Sequence, residues 1–480
     1  MIDEFEAVIG LEIHVQLNTK TKMFCDCPNR PGDEPNRNTC PVCLWLPGAL
    51  PRLSAEALEK ATLAALALDC EISPIIAFDQ KVYYYPDLPK GYQLSQFHKP
   101  LAKNGRVRIT AEDGSSRNIG IIQVHMEEDV AKLLHEREGK TPVSLVDFNR
   151  AGTPLVEIVS RPDIRSSHEA MEYIKALRAR VRYAGSSECS MEQGTMRVDA
   201  NISIRPKGSD RFNTKVEVKN MNSIQNVGDA VDYEIRRQAD QVRTGEQVTL
   251  HTRLWDPDKK MTVAMRGKFE GPCVPDPAVP PIVISNEWLE TVRSRLPEMP
   301  ARKMERFIEH YELPRDEASL MSADRDLADY FETVAKSGIP PRTACHWIAA
   351  QLLPLLKNKG LTVEASPLSA ERLAGLLLLL EKNEINARAA REILPVLFES
   401  DEAPEAVVER LNVRQVSDTA ALETLVDRII TDNPAAVDDY RSGTQKAFGF
   451  LMGQAMQASQ GTGNPQLIKE ILHNKLKGRS

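Results

Sequence analysis

The spacing of apolar residues changes once along this 480-residue chain, near residue 270, and that change limits the folds open to it. Ahead of it, "GLEIHVQL" (10–17) continues from Ile9 and sets Leu11, Ile13, Val15 and Leu17 against Gly10, Glu12, His14 and Gln16. This two-residue period belongs to a half-buried strand. "RVDANISIR" (197–205) and "TKVEVKN" (214–220) repeat the pattern. Helical spacing interrupts the strands at 54–68, 167–183 and about 226–243. From Asn286 onward the chain reads as amphipathic helices, such as "EWLETVRSRL" and "ERLAGLLLLLEKN". Between the two regimes, "GPCVPDPAVPPI" (271–282) holds five prolines, which suits an extended linker and forbids a regular helix or central strand.

A chain of this length is too long for one core. The pattern predicts an α+β protein with a mostly antiparallel β domain over 1–285, an all-helical domain over 286–407 and a helical tail over 408–480. The tail closes on a helix capped by Asn464, begun at Pro465 and stopped by Gly478.

Composition excludes several classes. A formal net charge of −7 argues against a basic coat for non-specific nucleic-acid binding, so RNA contact has to be local. "KEILHNKLKGRS" gathers Lys469, His473, Lys475, Lys477 and Arg479, a patch that a solvated helix face explains equally well. The acidic start "MIDEFEAVIG" is unlike a basic targeting leader, and the apolar run "LAGLLLLL" falls far short of the roughly 18 residues of a membrane span. The expectation is a cytoplasmic protein with no membrane partner.

Two acids stand in apolar surroundings: Glu128 in "GIIQVHMEED" and Glu157 in "TPLVEIVS". Carboxylates are rarely buried without a partner or a cation. Glu12, His14, Glu128 and Glu157 are therefore expected to converge on a divalent cation, magnesium or manganese, with positions left for phosphate oxygens. Ion pairs to Arg150 or Lys132 are an equally open alternative.

Four of the eight cysteines lie in "CDCPNRPGDEPNRNTCPVC", as Cys25-x-Cys27 and Cys40-x-x-Cys43 separated by twelve residues. Two close pairs flanking a Pro/Gly/Asn loop match a structural zinc site of four thiolates, with disulfides the weaker alternative in a reducing compartment. A phosphate-binding Gly-x-x-x-x-Gly-Lys-Ser/Thr loop, a dinucleotide fingerprint and a Gly-x-Ser-x-Gly elbow are all missing, so any ATP site is non-standard. Cys345 and His346 are adjacent in a helical stretch and point apart, which leaves no Cys–His nucleophile.

Taken in order, "GLEIHVQL", "YYYPDLPKGYQLSQF", "HMEEDVAK", "DFNRAGTPLVEIVSRPD", "MRVDANIS", "KVEVKNMNS" and "AFGFLMGQAMQAS" resemble the GatB family, the B subunits of the tRNA-dependent amidotransferases. The resemblance runs from the first strand to the last helix. It implies a cradle-shaped β domain, a helical domain and a tail that grips tRNA through Lys469, Lys475, Lys477 and Arg479. It further implies work beside an amidase (A) subunit with a small (C) subunit. The implied reaction uses ATP and magnesium to phosphorylate the side-chain carboxylate of Glu on tRNA(Gln) or Asp on tRNA(Asn). Ammonia released from glutamine then displaces the phosphate. The resemblance assigns the cation to Glu12, His14, Glu128 and Glu157, and an ammonia channel to the neighbourhood of Lys81, Tyr83 and Lys90. The chain departs from the family pattern at "GPCVPDPA", where "YRYFPEPD" is usual, and at Ala131, where glycine is usual.

Overall fold

The computed structural model describes residues 4–138, 141–265, 271–415, 419–459 and 463–477. It is mixed α/β, with a sheet-rich N-terminal region and a helical C-terminal region. The chain forms two compact units, Met1–Met299 and Pro300–Ser480.

Nine strands of the first unit make one sheet: β1 (Phe5–Gln16), β2 (Glu71–Ile72), β3 (Ala102–Thr110), β4 (Ser116–Glu128), β5 (Pro154–Ser160), β6 (Met196–Pro206), β7 (Val216–Met221), β8 (Thr252–Asp256) and β9 (Met261–Ala264). Their order across the sheet is β9-β8-β7-β6-β1-β5-β4-β3-β2, and every pair is antiparallel except β7–β8. The opening strand is thus central, hydrogen-bonded to β5 on one side and β6 on the other.

One face of the sheet is core. Ile9, Leu11, Ile13 and Val15 of β1 are sealed from solvent alongside Val156 and Ile158 of β5 and Val124 and Met126 of β4. Each such side chain contributes roughly 1.5–3 kcal/mol by leaving water. Helices α1 (Ala55–Ala67), α2 (Ser167–Tyr183) and α3 (Ile224–Arg243) cover this face with Ala61, Ala64, Tyr173, Leu177, Val227 and Val231. Each helix starts at a serine, Ser54, Ser166 or Ser223, whose hydroxyl accepts from the backbone N–H three residues on. Such a cap is worth about 1 kcal/mol.

The proline-rich stretch is not a free linker. Cys273–Pro275 pairs with Asp79–Val82, which pairs in turn with Tyr92–Ser95, and Ile282–Val283 pairs with Ile75–Ile76. These are short edge pairings, where a missing N–H is tolerated. Asp276 is buried and fixes the turn, accepting from Ala278 N, Val279 N and the Gln80 amide. A further helix, α4 (Asn286–Arg293), buries Val292 among Leu63, Leu66 and Ala67. This helix was expected to open the helical domain; its apolar side lies on α1, so the first unit runs on to Met299.

The second unit contains two separate apolar clusters, one drawn from Phe307 to Val408 and the other from Leu422 to Leu476. Cys345 is buried and His346 exposed, on different sides of their helix. Among the described residues no helix is long and apolar enough to cross a membrane.

Candidate active site

Strand register fixes what the other face of the sheet carries. Arg197 of β6, His14 of β1, Glu157 of β5 and His125 of β4 stand side by side in one row across four strands. Glu127 lies next to that row on β4. His14 Nε2 is 3.4 Å from Glu127 Oε1 and 3.5 Å from Glu157 Oε2, and His125 Nε2 is 3.1 Å from Glu157 Oε2. One ligand atom from each of His14, Glu127 and Glu157 falls within 4.8 Å of the others.

Both carboxylates are buried, so they must share positive charge. Burial alone would strip the proton from His14, but Glu157 and Glu127 outweigh it and raise the imidazole to about 9. Burial raises Glu127, with the nearby Glu157 adding to it against the pull of His14. On Glu157 burial acts upward, but the two histidines hold the carboxyl well below its ordinary value. The donor set of two carboxylates and an imidazole fits a divalent cation of the magnesium or manganese type. Such a cation takes the place of the His14 proton, because an imidazole ligates only when neutral.

The structure brings together two of the four residues expected at this centre, His14 and Glu157, and adds Glu127. Glu12 lies two residues along β1 on the same face, where its Oε1 accepts from the Asn201 amide at 2.7 Å. Its pKa is raised, first by burial and then by Glu157. Glu128 is not part of the group. It pairs across the ladder with Pro154, shares the parity of the core residues Val124 and Met126, and so lies on the opposite side of the sheet from Glu127. There it meets Lys90 in a buried ion pair and accepts from Leu94 N at 2.9 Å. Arg150 and Lys132 do not supply its partner; Arg150 turns to Asp129 and to the carbonyls of Val130 and Ala131. Neither Glu127 nor His125 stood out in the sequence, although "HMEED" shows that two acids adjoin there, one for each face.

Lys81 and Tyr83 flank the cation side. Lys81 sits on the edge strand Asp79–Val82, and its charge lowers Glu127. Tyr83 is raised by burial, then by Asp87 and Glu127. Lys90 lies on the other side, its ammonium 5.4 Å from the Tyr92 ring centroid and 5.9 Å from that of Trp45. Burial pushes Lys90 down to about 7 against the pull of Asp276.

The four clustered cysteines also converge, with one sulfur from each of Cys25, Cys27, Cys40 and Cys43 within 4.8 Å of the rest. A hydrogen bond from the Cys25 thiol brings Cys43 down to about 5, while the same contact drives Cys25 upward. Four soft donors in a tetrahedral cluster fit zinc. Sequence reasoning missed Lys22, which is fully buried with Nζ 3.7 Å from Cys43 Sγ and 3.1 Å from the Phe148 carbonyl. Gly152 makes room for it: its φ of +86° is glycine territory, and an added Cβ would stand 3.5 Å from the Lys22 chain.

In the tail, Lys469 and Lys477 are exposed on the helix Pro465–Lys477. Lys475 is engaged, 2.5 Å from Asp427 Oδ2. Arg479 and the expected helix stop Gly478 lie outside the described residues.

A sheet of this build with a histidine–carboxylate cluster on its polar face, followed by helical units, falls in the GatB/GatE catalytic-domain class. The profile of that catalytic domain matches residues 7–290, and a second, described as the GatB domain, matches residues 329–476. The first of two numbered aspartyl/glutamyl-tRNA(Asn/Gln) amidotransferase B subunits, that of Syntrophus aciditrophicus (strain SB), is 62% identical over 473 residues, which cover 98% of this chain and 99% of that protein. The B subunit of the same enzyme from Carboxydothermus hydrogenoformans is 45% identical over 98% of this chain and 99% of its own length. That of Trichlorobacter lovleyi is 45% identical over 99% and 100%. The chain belongs to the GatB family.

Proposed function

We propose that this chain is the B subunit of a glutamine-dependent tRNA amidotransferase, an ATP-dependent ligase acting on Glu-tRNA(Gln) or Asp-tRNA(Asn) in the cytoplasm. The observation that carries the reading is the His14–Glu127–Glu157 cluster on the polar face of the sheet, in a chain of this family. A side-chain carboxylate is a poor electrophile at neutral pH. An oxygen of that carboxylate attacks the γ-phosphorus of ATP, the bond to the bridging oxygen breaks, and its electron pair leaves on ADP. Ammonia then adds to the acyl carbon, phosphate departs with the C–O electron pair, and one proton is lost to give the amide.

His14, Glu127 and Glu157 hold the divalent cation, with Glu12 orienting from the same face. When bound, the ion neutralises phosphate oxygens as they gain charge. His125 fixes the Glu157 carboxylate from the next strand. The buried Lys90–Glu128 pair lies one residue from Glu127 but across the sheet, and this supports an ammonia path that passes Lys90 and reaches the reacting carbon near Lys81 and Tyr83. The four cysteines bind a structural zinc. The β unit forms the cradle for the aminoacyl end, and the tail holds the body of the tRNA through Lys469, Lys477 and Arg479. The complex is completed by an amidase (A) subunit with a small (C) subunit.

The test is amide formation by the reconstituted complex with ATP, glutamine and each mischarged tRNA. The expected result is one ADP per amide, lost when Glu127 becomes Gln. Amide formation without ADP, or undiminished by that change, contradicts the reading.

A further inference from the structure

The row that holds His14 and Glu157 begins at Arg197, and the cluster does not account for it. The site is crowded with negative charge: Glu12, Glu127 and Glu157 share the face, and Asp199 stands opposite Glu12. A phosphoryl group in transfer adds charge spread over three equatorial oxygens. One divalent ion leaves much of that charge unmatched, and the chain has no phosphate-binding loop to meet it.

Arg197 is placed to do so. Its Nη2 donates to Asp129 Oδ1 at 2.9 Å, and its Nε and Nη1 make no hydrogen bond among the described residues. The side chain is 40% exposed, while that of Asp129 is 2% exposed. Lys219, the neighbouring cation on β7, is by contrast taken up by Asp199 and Glu217.

Asp129 is built in from every side. Its N–H donates to the Thr153 carbonyl and its carbonyl accepts from Gly152 N, so the backbone just past β4 is pinned to the start of β5. Its carboxylate accepts from Gln16 Nε2 at 2.8 Å and from Val130 N at 2.9 Å, with Arg150 Nε 3.6 Å away. A guanidinium anchored at one corner to a fixed carboxylate, with its other edge open to solvent beside a cation cluster, is a preorganised anion grip.

We propose that Arg197 binds the equatorial oxygens of the phosphoryl group as it passes from ATP to the aminoacyl carboxylate, and that Asp129 is the positioning residue holding it there. This rests on the phosphoryl-transfer reading above. In the step itself the carboxylate oxygen forms the new P–O bond, the bond to ADP breaks with its electron pair, and Arg197 exchanges no proton, being always charged.

The experiment uses the complete amidotransferase complex with mischarged tRNA and ATP but no glutamine, trapping the acyl phosphate with hydroxylamine and counting hydroxamate and ADP. Arg197→Ala is expected to lower the rate on the order of 100-fold or more, with Arg197→Lys intermediate. Manganese affinity, read by electron paramagnetic resonance, should stay within about threefold, since Arg197 is not a ligand. Added guanidinium should recover part of the Arg197→Ala rate, which a merely structural ion pair does not allow. Asp129→Asn should lower kcat by about 10-fold with little change in KM for ATP, as expected for a misaligned but present guanidinium.

Wild-type rate in Arg197→Ala, or loss of rate together with manganese binding and without guanidinium rescue, overturns the proposal. Absence of hydroxamate and ADP with the wild-type complex instead removes the phosphoryl-transfer reading itself, so the two failures are distinguishable.

Discussion

Glu127 and Glu128 are consecutive on one strand and serve opposite sides of the sheet: Glu127 lies 3.4 Å from His14, whereas Glu128 forms a buried ion pair with Lys90. Two chemical tasks can thus adjoin through a single peptide bond, cation binding on one face and a polar passage on the other.

The two acids therefore separate by mutation. Glu127→Gln should lower acyl-phosphate formation by roughly 100-fold or more, because it withdraws a ligand from the cation. Glu128→Gln should leave that half-reaction within about threefold and instead reduce amidation driven by glutamine relative to amidation driven by added ammonium. Hydroxamate trapping and paired assays with the two nitrogen sources read these effects. Equal loss of the first half-reaction in both variants contradicts the division.

The cysteine cluster predicts about one zinc per chain, removable only with loss of stability. Cys43→Ser should lose the metal and lower the melting temperature of the N-terminal unit. Lys22→Met should keep the four ligands but weaken zinc by about 10- to 100-fold, because the buried ammonium beside Cys43 offsets thiolate charge. Elemental analysis during titration with a chelator checks both variants.

Asp129 gives a pH signature. Burial raises its pKa, but Arg197 and Arg150 outweigh burial and hold the carboxyl below its ordinary value. A depressed folded-state pKa adds stability that is complete above the unfolded value near 3.9 and disappears as pH falls through the folded value. The stability gap between wild type and Asp129→Asn should therefore be constant from about pH 7 to 5 and shrink below about pH 4. Denaturant melts across that range measure it; a gap that widens in acid contradicts the assignment.

In the tail, Lys469→Ala and Lys477→Ala should each weaken tRNA binding and flatten its salt dependence by about one unit of slope at most. Lys475→Ala should act mainly on stability, by about 0.2–1 kcal/mol, since its ammonium is spent on Asp427 in a partly exposed pair. Binding isotherms at several salt concentrations distinguish the two effects.

Much of this architecture was legible because it is periodic. The alternation of "GLEIHVQL" defined β1 and its buried face, and the helices at 55–67, 167–183 and 224–243 follow their apolar spacing. Clustered cysteines announced their own convergence. What could not be read is non-local. Choosing between Glu127 and Glu128 depends on the parity of one strand end, where a one-residue error moves a side chain through the sheet. The pairs Lys90–Glu128 and Arg197–Asp129 join residues 38 and 68 positions apart. The prolines of 271–282 spoke against a central strand but were silent on the edge pairing that docks the segment.

The most direct measurement is anomalous diffraction at the manganese edge from crystals of the protein grown with manganese. The account predicts a peak within bonding distance, roughly 2.0–2.3 Å, of His14 Nε2 and of carboxylate oxygens of Glu127 and Glu157, with none beside Glu128. A peak on the Lys90–Glu128 side of the sheet, or none at the His14 cluster at saturating manganese, contradicts it.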